Sequence, residues 1–510
     1  MKAQFILTKI LLLFLLNGFT TFTLSSESQD IYDLVLSGGR VIDPETGLDG
    51  IRNIAIGDGA IVEISEQVLH GEKVLDVSGL VVSPGFIDLH THSPTPLGQY
   101  YQLMDGVTTA LELEAGAHPI QEYGPEIRDK ALINFGTSAG YINMRVWLKQ
   151  GIKMSHIANS PQPDNMLGYW TVLRSFFSEQ RQGFEERASA SERSQLRELL
   201  EGDLEQGALG IGLALDYMSE AVDDAELRMI FDVAAAKQTL IFVHMRRGID
   251  GDPAGLYEVL SLARETGVSI HICHISHNAM SNLDLFLAEI RKARAEGVDV
   301  TTEVLPYNAG SATISSAVFS RNWQEVFNIS YQDVEWAATG ERFNKKSWEE
   351  KRINEPSGQV IHHYLKEPWT KKAIAEPGVI IVSDLLPMQS KDKNVAPHNG
   401  AFSKILGRYV RDTPLLDIST ALSKMTLLPA QRLEKIAPLL AKKGRLQIGA
   451  DADITVFNAE RIIDNATYKN PYQTADGIEH VIVNGVLIVK EGKLVDNTYP
   501  GRELRTKIAH

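Results

Sequence analysis

The sequence has 510 residues, more than a single hydrophobic core usually serves, so one large domain and a smaller one are expected. Its apolar fraction of 44% and charged fraction of 23% are those of an ordinary globular protein. A formal charge of −15, with no basic tract, argues against a nucleic-acid-binding surface.

The amino-terminal stretch differs from the rest. Lys2 and Lys9 precede the apolar run Ile10 to Leu16, and Asn17-Gly18 and a Ser/Thr-rich segment follow. A basic start and a short apolar run read as a signal peptide over residues 1–25, too brief for an ordinary membrane span. An uncleaved anchor is the alternative. The expectation is an exported chain, periplasmic or secreted, with no stable membrane span after cleavage. Cys273 is the sole cysteine, so the chain holds no internal disulfide. It lies in an apolar run and reads as a small buried hydrophobe.

Residues 26–82 read as short strands separated by turns. Gly57-Asp58-Gly59 joins the β-like runs Ile51 to Ile56 and Ala60 to Ile64. Residues 441–510 form a second strand-rich block, in which Asn484-Gly485 between two β-branched runs signals a hairpin. The two blocks together predict one small β-sandwich domain assembled from both terminal segments.

Between them, residues 83–440 alternate apolar strand-like runs with longer helical stretches. Thr239 to Val243, Leu256 to Glu265 and Val268 to Ile272 show the pattern. Such alternation implies parallel β-α units, and the length fits a closed (β/α)8 TIM-like barrel. An open doubly wound sheet is the alternative, but no glycine-rich phosphate fingerprint follows a strand. The rhythm breaks at about 315–372, a stretch rich in charge and in aromatics such as Trp323, Trp336 and Trp348. It reads either as a lid-like insertion over the barrel mouth or as a peripheral packing element.

The candidate chemistry sits at the ends of the strand-like runs, where such barrels place their active sites. His90-Thr91-His92 ends the largely apolar run from Val82, and alternation puts both imidazoles on one face, able to grip a divalent transition metal, most often zinc. Glu112 and Glu114 likewise share a face after Gly106-Val107-Thr108-Thr109. His244 ends a third run, with Arg246 two residues on, and His274 follows a fourth. His271 falls on the opposite face from His274, and His277 lies beyond the strand. Asp384 follows Val379 to Ser383, either as a helix cap or as a general base for a metal-activated water.

Taken together, these residues resemble the amidohydrolase superfamily and, within it, the D-aminoacylase (N-acyl-D-amino-acid deacylase) branch. The similarity runs through Pro84 to His92, Val243 to Arg246, His271 to His277, Pro306 to Ser311, Phe402 to Arg411 and Gly449 to Ile454. The resemblance implies one or two divalent ions, zinc above all, held by His90, His92, His244 and His274, with Asp384 as the catalytic aspartate. Where the branch carries a cysteine ligand, this chain reads Leu113-Glu114-Ala115-Gly116, so Glu114 is the first choice to replace it and Glu112 the second. Arg246 is the candidate clamp for a substrate carboxylate, since a guanidinium makes a bidentate fork. Tyr307 and Ser311 are further substrate-binding candidates. Tyr141 and Arg247-Gly248 depart from the branch pattern and leave the substrate open. The implied activity is metal-dependent hydrolysis of an amide, on a small N-acyl (D-)amino acid or dipeptide. Cyclic amide hydrolysis, deamination and a catalytically silent peptide-binding barrel are the alternatives, and the oligomeric state is left open.

Overall fold

The computed structural model describes residues 31–125, 127–151, 182–388, 390–391 and 398–506. The signal-peptide expectation for 1–25 lies outside the described residues. No helix among those described is long and apolar enough to cross a membrane.

The chain opens with five strands: β1 (Tyr32–Asp43), β2 (Leu48–Gly57), β3 (Ala60–Ser65), β4 (Gly71–Asp76) and β5 (Val81–Pro84). Asp58 and Gly59, at the tip between β2 and β3, have φ values of 52° and 79°. This left-handed pair is what a two-residue hairpin turn demands.

The barrel strands follow: β6 (Phe86–Asp88), β7 (Val107–Ala117), β8 (Asn134–Gly140), β9 (Ile211–Ala214), β10 (Leu240–His244), β11 (Ser269–Ile272) and β12 (Val300–Val304). Next come three short strands outside the barrel, β13 (Gly310–Thr313), β14 (Val334–Trp336) and β15 (Gln359–His362), and then the last barrel strand, β16 (Val379–Ile381). The eight barrel strands pair in parallel in the order β6 to β12 and then β16. Every residue of β9 and β10 is buried, as expected for strands covered on both faces, which is why they read as unbroken apolar runs. Helices such as Asp224–Ala236 and Ala254–Thr266 lay apolar faces on the outside of the sheet. Asp223 caps the first of these by accepting the Glu226 amide.

The barrel closes just past the formal ends of its first and last strands. The Asp384 amide donates to the His90 carbonyl at 2.8 Å and the His92 amide to the Leu385 carbonyl at 2.7 Å. Buried Asp88 on β6 reinforces the seam by accepting from the Ser383 amide and hydroxyl. The open-sheet alternative is excluded.

The last strands, β17 (Ile454–Phe457), β18 (Ile478–Val483), β19 (Val486–Lys490) and β20 (Lys493–Leu494), return to the first block. β17 pairs antiparallel with β5, making one nine-stranded sheet from both terminal segments. This sheet curls over a single core that includes Leu36, Val41, Ile61, Val82, Val456 and Ile482. Its two hairpin tips meet: a Cβ on Gly485 would lie 2.5 Å from Gly59 Cα, so a side chain there has no room. The small β domain is thus assembled from both terminal segments, as expected, around that core.

The break in the barrel rhythm is a packed unit in its own right. β13, β15 and β14 form a three-stranded antiparallel sheet over a core of Phe319, Trp323, Phe327, Trp336, Phe343 and Trp348. Its first strand begins at Gly310, before the position at which composition changes.

One ion pair ties a barrel strand to an outer helix. Asp299, just before β12, meets Arg432 at 2.6 Å and Lys435 at 3.2 Å and accepts from the Ser269 hydroxyl at 2.7 Å. Burial pushes its carboxyl upward, but Arg432, Ser269 and Lys435 outweigh this and hold it at about 2 against an ordinary 3.8. A depressed carboxylate stabilises the fold above its unfolded value and loses that contribution as pH falls through its folded value. Asp299→Asn is therefore expected to cost about 1 kcal/mol at pH 7, solvent screening included. Denaturant titrations of both proteins between pH 7 and pH 3 should show the gap shrinking. A gap independent of pH contradicts the assignment.

Candidate metal centre

Each expected metal-ligating side chain comes from the carboxyl end of a barrel strand or the residues just beyond it. His90 and His92 follow β6, Glu112 and Glu114 lie on β7, His244 ends β10, His274 follows β11 and Asp384 follows β16. Glu114 stands between two imidazole pairs. Its Oε2 is 3.3 Å from His90 Nε2 and 3.4 Å from His92 Nε2. Its Oε1 is 2.7 Å from His244 Nδ1 and 2.9 Å from His274 Nε2. Asp384 Oδ1 completes the first pair at 3.6 Å from His90 Nε2 and 3.4 Å from His92 Nε2.

The donor set fits divalent ions. His90 Nε2 and His92 Nε2 face each other at 3.2 Å, and two imidazole nitrogens in that relation can share only one proton. Ligand atoms of His90, His92 and Glu114 lie within 4.8 Å of one another, as do those of Glu114, His244 and His274, and those of His90, His274 and Asp384. Imidazole nitrogen with carboxylate oxygen suits zinc and its neighbours, and a carboxylate common to two groups is the arrangement that bridges two ions.

Outer partners fix the rings. Glu112 Oε2 accepts from His92 Nδ1 at 2.7 Å, and Glu303 Oε1 accepts from His90 Nδ1 at 2.5 Å. With those N–H groups engaged, both Nε2 lone pairs face the centre. Glu303 Oε2 also holds His271 Nε2, at 2.8 Å, so His271 is a support for the centre and points away from it. Glu112, the second-choice ligand, is thus the orienting partner of His92, and Glu114 takes the shared position.

Electrostatics say the same. Burial would lower the His90 pKa, yet Asp384, Glu114 and Glu303 hold it well above the ordinary value. Burial would raise Glu114, yet His90, His244 and His274 hold it well below. Glu303, also pushed up by burial, is held down at about 2 by His90 and His271. Positive charge is thus favoured at His90 and His92, whereas burial and the neighbouring His244 lower His274. His274 and Asp384 have φ values of 31° and 51°, left-handed backbone that non-glycine residues seldom adopt away from functional sites.

Three expectations about substrate contacts change. Arg246 Nε donates to the Ser219 carbonyl at 3.2 Å, and its other nitrogens hold Glu258 and the Val222 carbonyl. It faces a cleft of about 720 Å³ lined by residues such as Glu185, Arg187, Glu220 and Asp223, with none of the metal-ligating candidates in its wall. The strand ends at His244, so alternation no longer carries Arg246 inward. Ser311 belongs to the insertion sheet and donates its hydroxyl to the Val360 carbonyl at 3.1 Å. Tyr307 is buried, stacked on His398 with ring centroids 4.5 Å apart and covered by Lys404 on its other contacts. His398 in turn donates from Nδ1 to the Asp384 carbonyl at 2.8 Å, so Tyr307 packs behind Asp384. Tyr141 hydrogen-bonds buried Glu226 at 2.7 Å and serves packing around Arg145.

Sequence reasoning missed Glu303, Asp216 and Arg321, and it marked Arg247 only as a departure from the branch pattern. A carboxylate inside the strand Val300–Val304 was the available signal for Glu303, because a buried acid needs a partner. Asp216, past β9, receives Arg321 Nη2 at 2.8 and 2.6 Å and the Arg247 amide at 2.9 Å, and lies 3.7 Å from His244 Nε2. Burial would raise it, but His244, Arg247 and Arg321 keep it below the ordinary range.

An eight-stranded parallel barrel whose strand ends carry four imidazoles and a shared carboxylate defines a metal-dependent hydrolase. Comparison with known proteins agrees. The amidohydrolase family model matches residues 185–489. An N-acyl-D-glutamate deacylase of Alcaligenes xylosoxydans xylosoxydans is 29% identical over 94% of this chain and 97% of its own. A D-aminoacylase of the same organism is 30% identical over 91% of this chain and 96% of its own. The solved structure of N-acyl-D-glutamate deacylase from Bordetella bronchiseptica, complexed with zinc and a phosphonate inhibitor, superposes with a TM-score of 0.75. It is 24% identical and covers 94% of this chain and 100% of its own, a likeness of fold. The chain belongs to the amidohydrolase family, close to its D-aminoacylases, and is a metal-dependent hydrolase of amide bonds.

Proposed function

We propose that the protein deacylates N-acyl-D-amino acids with zinc at this centre. The observation that carries the reading is Glu114 set between His90/His92 and His244/His274, with Asp384 Oδ1 3.4 Å from His92 Nε2. The names of the two similar deacylases support the substrate class.

A bound divalent ion supplies Lewis acidity toward the amide carbonyl and makes water acidic enough to lose a proton near neutral pH. The chain does the rest. Asp384 Oδ1 receives the proton of the attacking water and returns it to the departing nitrogen. Its carboxylate is aimed by two backbone bonds, its amide to the His90 carbonyl and its own carbonyl from His398. Tyr217, 5.2 Å from the His244 ring, and Tyr364, 5.8 Å from the His277 ring, wall the cluster with aromatic surface and keep bulk water off it. The aromatic insertion supplies Tyr364 and so acts as the cover of the site. Export rests on the composition of residues 1–25.

The test is a panel of N-acyl-D- and N-acyl-L-amino acids, dipeptides and cyclic amides, presented to zinc-loaded protein. Release of carboxylate from N-acyl-D-amino acids, in preference to the rest, is expected. Turnover confined to cyclic amides, release of ammonia alone, or a protein that is inert and binds no zinc overturns the reading.

A further inference from the structure

We infer that Arg247, and not its neighbour Arg246, is the clamp for a carboxylate group of the substrate, an inference that rests on the deacylase reading. Arg247 lies three residues past the end of β10, and its side chain is only 7% exposed. For a buried guanidinium it is poorly matched. Nε donates to Asn278 Oδ1 at 3.2 Å, Nη1 stands 3.8 Å from Asp216 Oδ2, and Cζ lies 5.7 Å from the centroid of the Phe327 ring. Among the described residues no acceptor lies within hydrogen-bonding distance of its Nη1 or Nη2.

Among the described residues, the one carboxylate in ion-pair contact with it is already engaged. Arg321 bonds both oxygens of Asp216, at 2.8 and 2.6 Å. Among the described residues, two guanidinium groups therefore share a single buried acid, and the two terminal nitrogens of Arg247 have no bonded anion. Directly bonded anions suit a buried guanidinium best, and the fork of Arg247 is shaped to take a planar one. Glu114, close enough for its charge to act on Arg247, is matched by the imidazoles on both of its oxygens.

The position suits substrate. Tyr217 has its ring 5.2 Å from that of His244, and Tyr364 has its ring 5.8 Å from that of His277. Phe327, under the guanidinium, packs on Tyr364 with centroids 4.6 Å apart. A carboxylate received here is held beside the His244 and His274 side of the centre, against aromatic walls. Every N-acyl amino acid offers one such group at Cα, and an acidic side chain offers a second.

The experiment compares wild type, Arg247→Met and Arg247→Lys on N-acyl-D-glutamate, N-acyl-D-glutamine and the Cα-amides of both. KM for substrates carrying the recognised carboxylate is expected to rise about 30- to 100-fold in Arg247→Met, with kcat within about threefold. Arg247→Lys, which keeps the charge and loses the fork, is expected in between. A Cα-carboxylate ligand makes both amides blind to the substitution, whereas a side-chain ligand makes N-acyl-D-glutamine blind. Calorimetric binding of the same compounds to Asp384→Asn protein, with and without Arg247→Met, reads the contact without turnover. Losses of equal size on all four compounds, or no loss on any, overturn the clamp while leaving the deacylase reading intact. Wild type inert toward every N-acyl amino acid removes that reading, and the clamp with it.

Discussion

Asp384→Asn is expected to retain bound metal and lose about 10³-fold in kcat, the range general acid–base catalysis covers. The substitution keeps an oxygen at Oδ1 and leaves the backbone bonds to His90 and His398 untouched, so the site keeps its shape. What disappears is a proton acceptor at a carboxylate that faces both His90 and His92. Metal analysis together with turnover checks this. Near-normal kcat in a metal-loaded variant assigns the base elsewhere, and loss of the metal makes Asp384 chiefly a ligand.

Glu114→Gln is expected to damage both halves of the centre at once. Four imidazole nitrogens lie 2.7 to 3.4 Å from this carboxylate, two on each oxygen. Gln keeps one carbonyl oxygen, places an NH2 against nitrogens meant to be ligands and removes the charge that offsets two cations. Removing an outer partner of a metal site usually costs 10–100-fold in affinity, and removal of the shared ligand should exceed about 100-fold. Elemental analysis after dialysis, with calorimetric zinc titration, reads the result. Full stoichiometry and unchanged affinity in Glu114→Gln contradict its shared position.

Much of this centre was legible because it sits where simple periodicity holds. His90 and His92, and Glu112 and Glu114, share faces as alternation requires, and the Asn484-Gly485 turn pairs β18 with β19. Legibility stopped where strands end. Beyond His244 the chain leaves the pleat, so Arg246 turns out toward Glu258 while Arg247 turns in beside Asp216. Two adjacent arginines cannot be told apart by composition. Ser311 was misread for a related reason: the insertion sheet begins before its composition announces it, and its hydroxyl is already engaged by Val360. The partners of Glu303 and Asp216 are set by which strands become neighbours, which no local pattern carries.

The seam of the barrel has a consequence for biosynthesis. Ser383 and His90, which it joins, are 293 positions apart in the chain. A ribosome delivers the first two histidines well before the strand that carries the aspartate. The full set of groups around the centre is therefore assembled only when the cylinder's final strand zips onto its first.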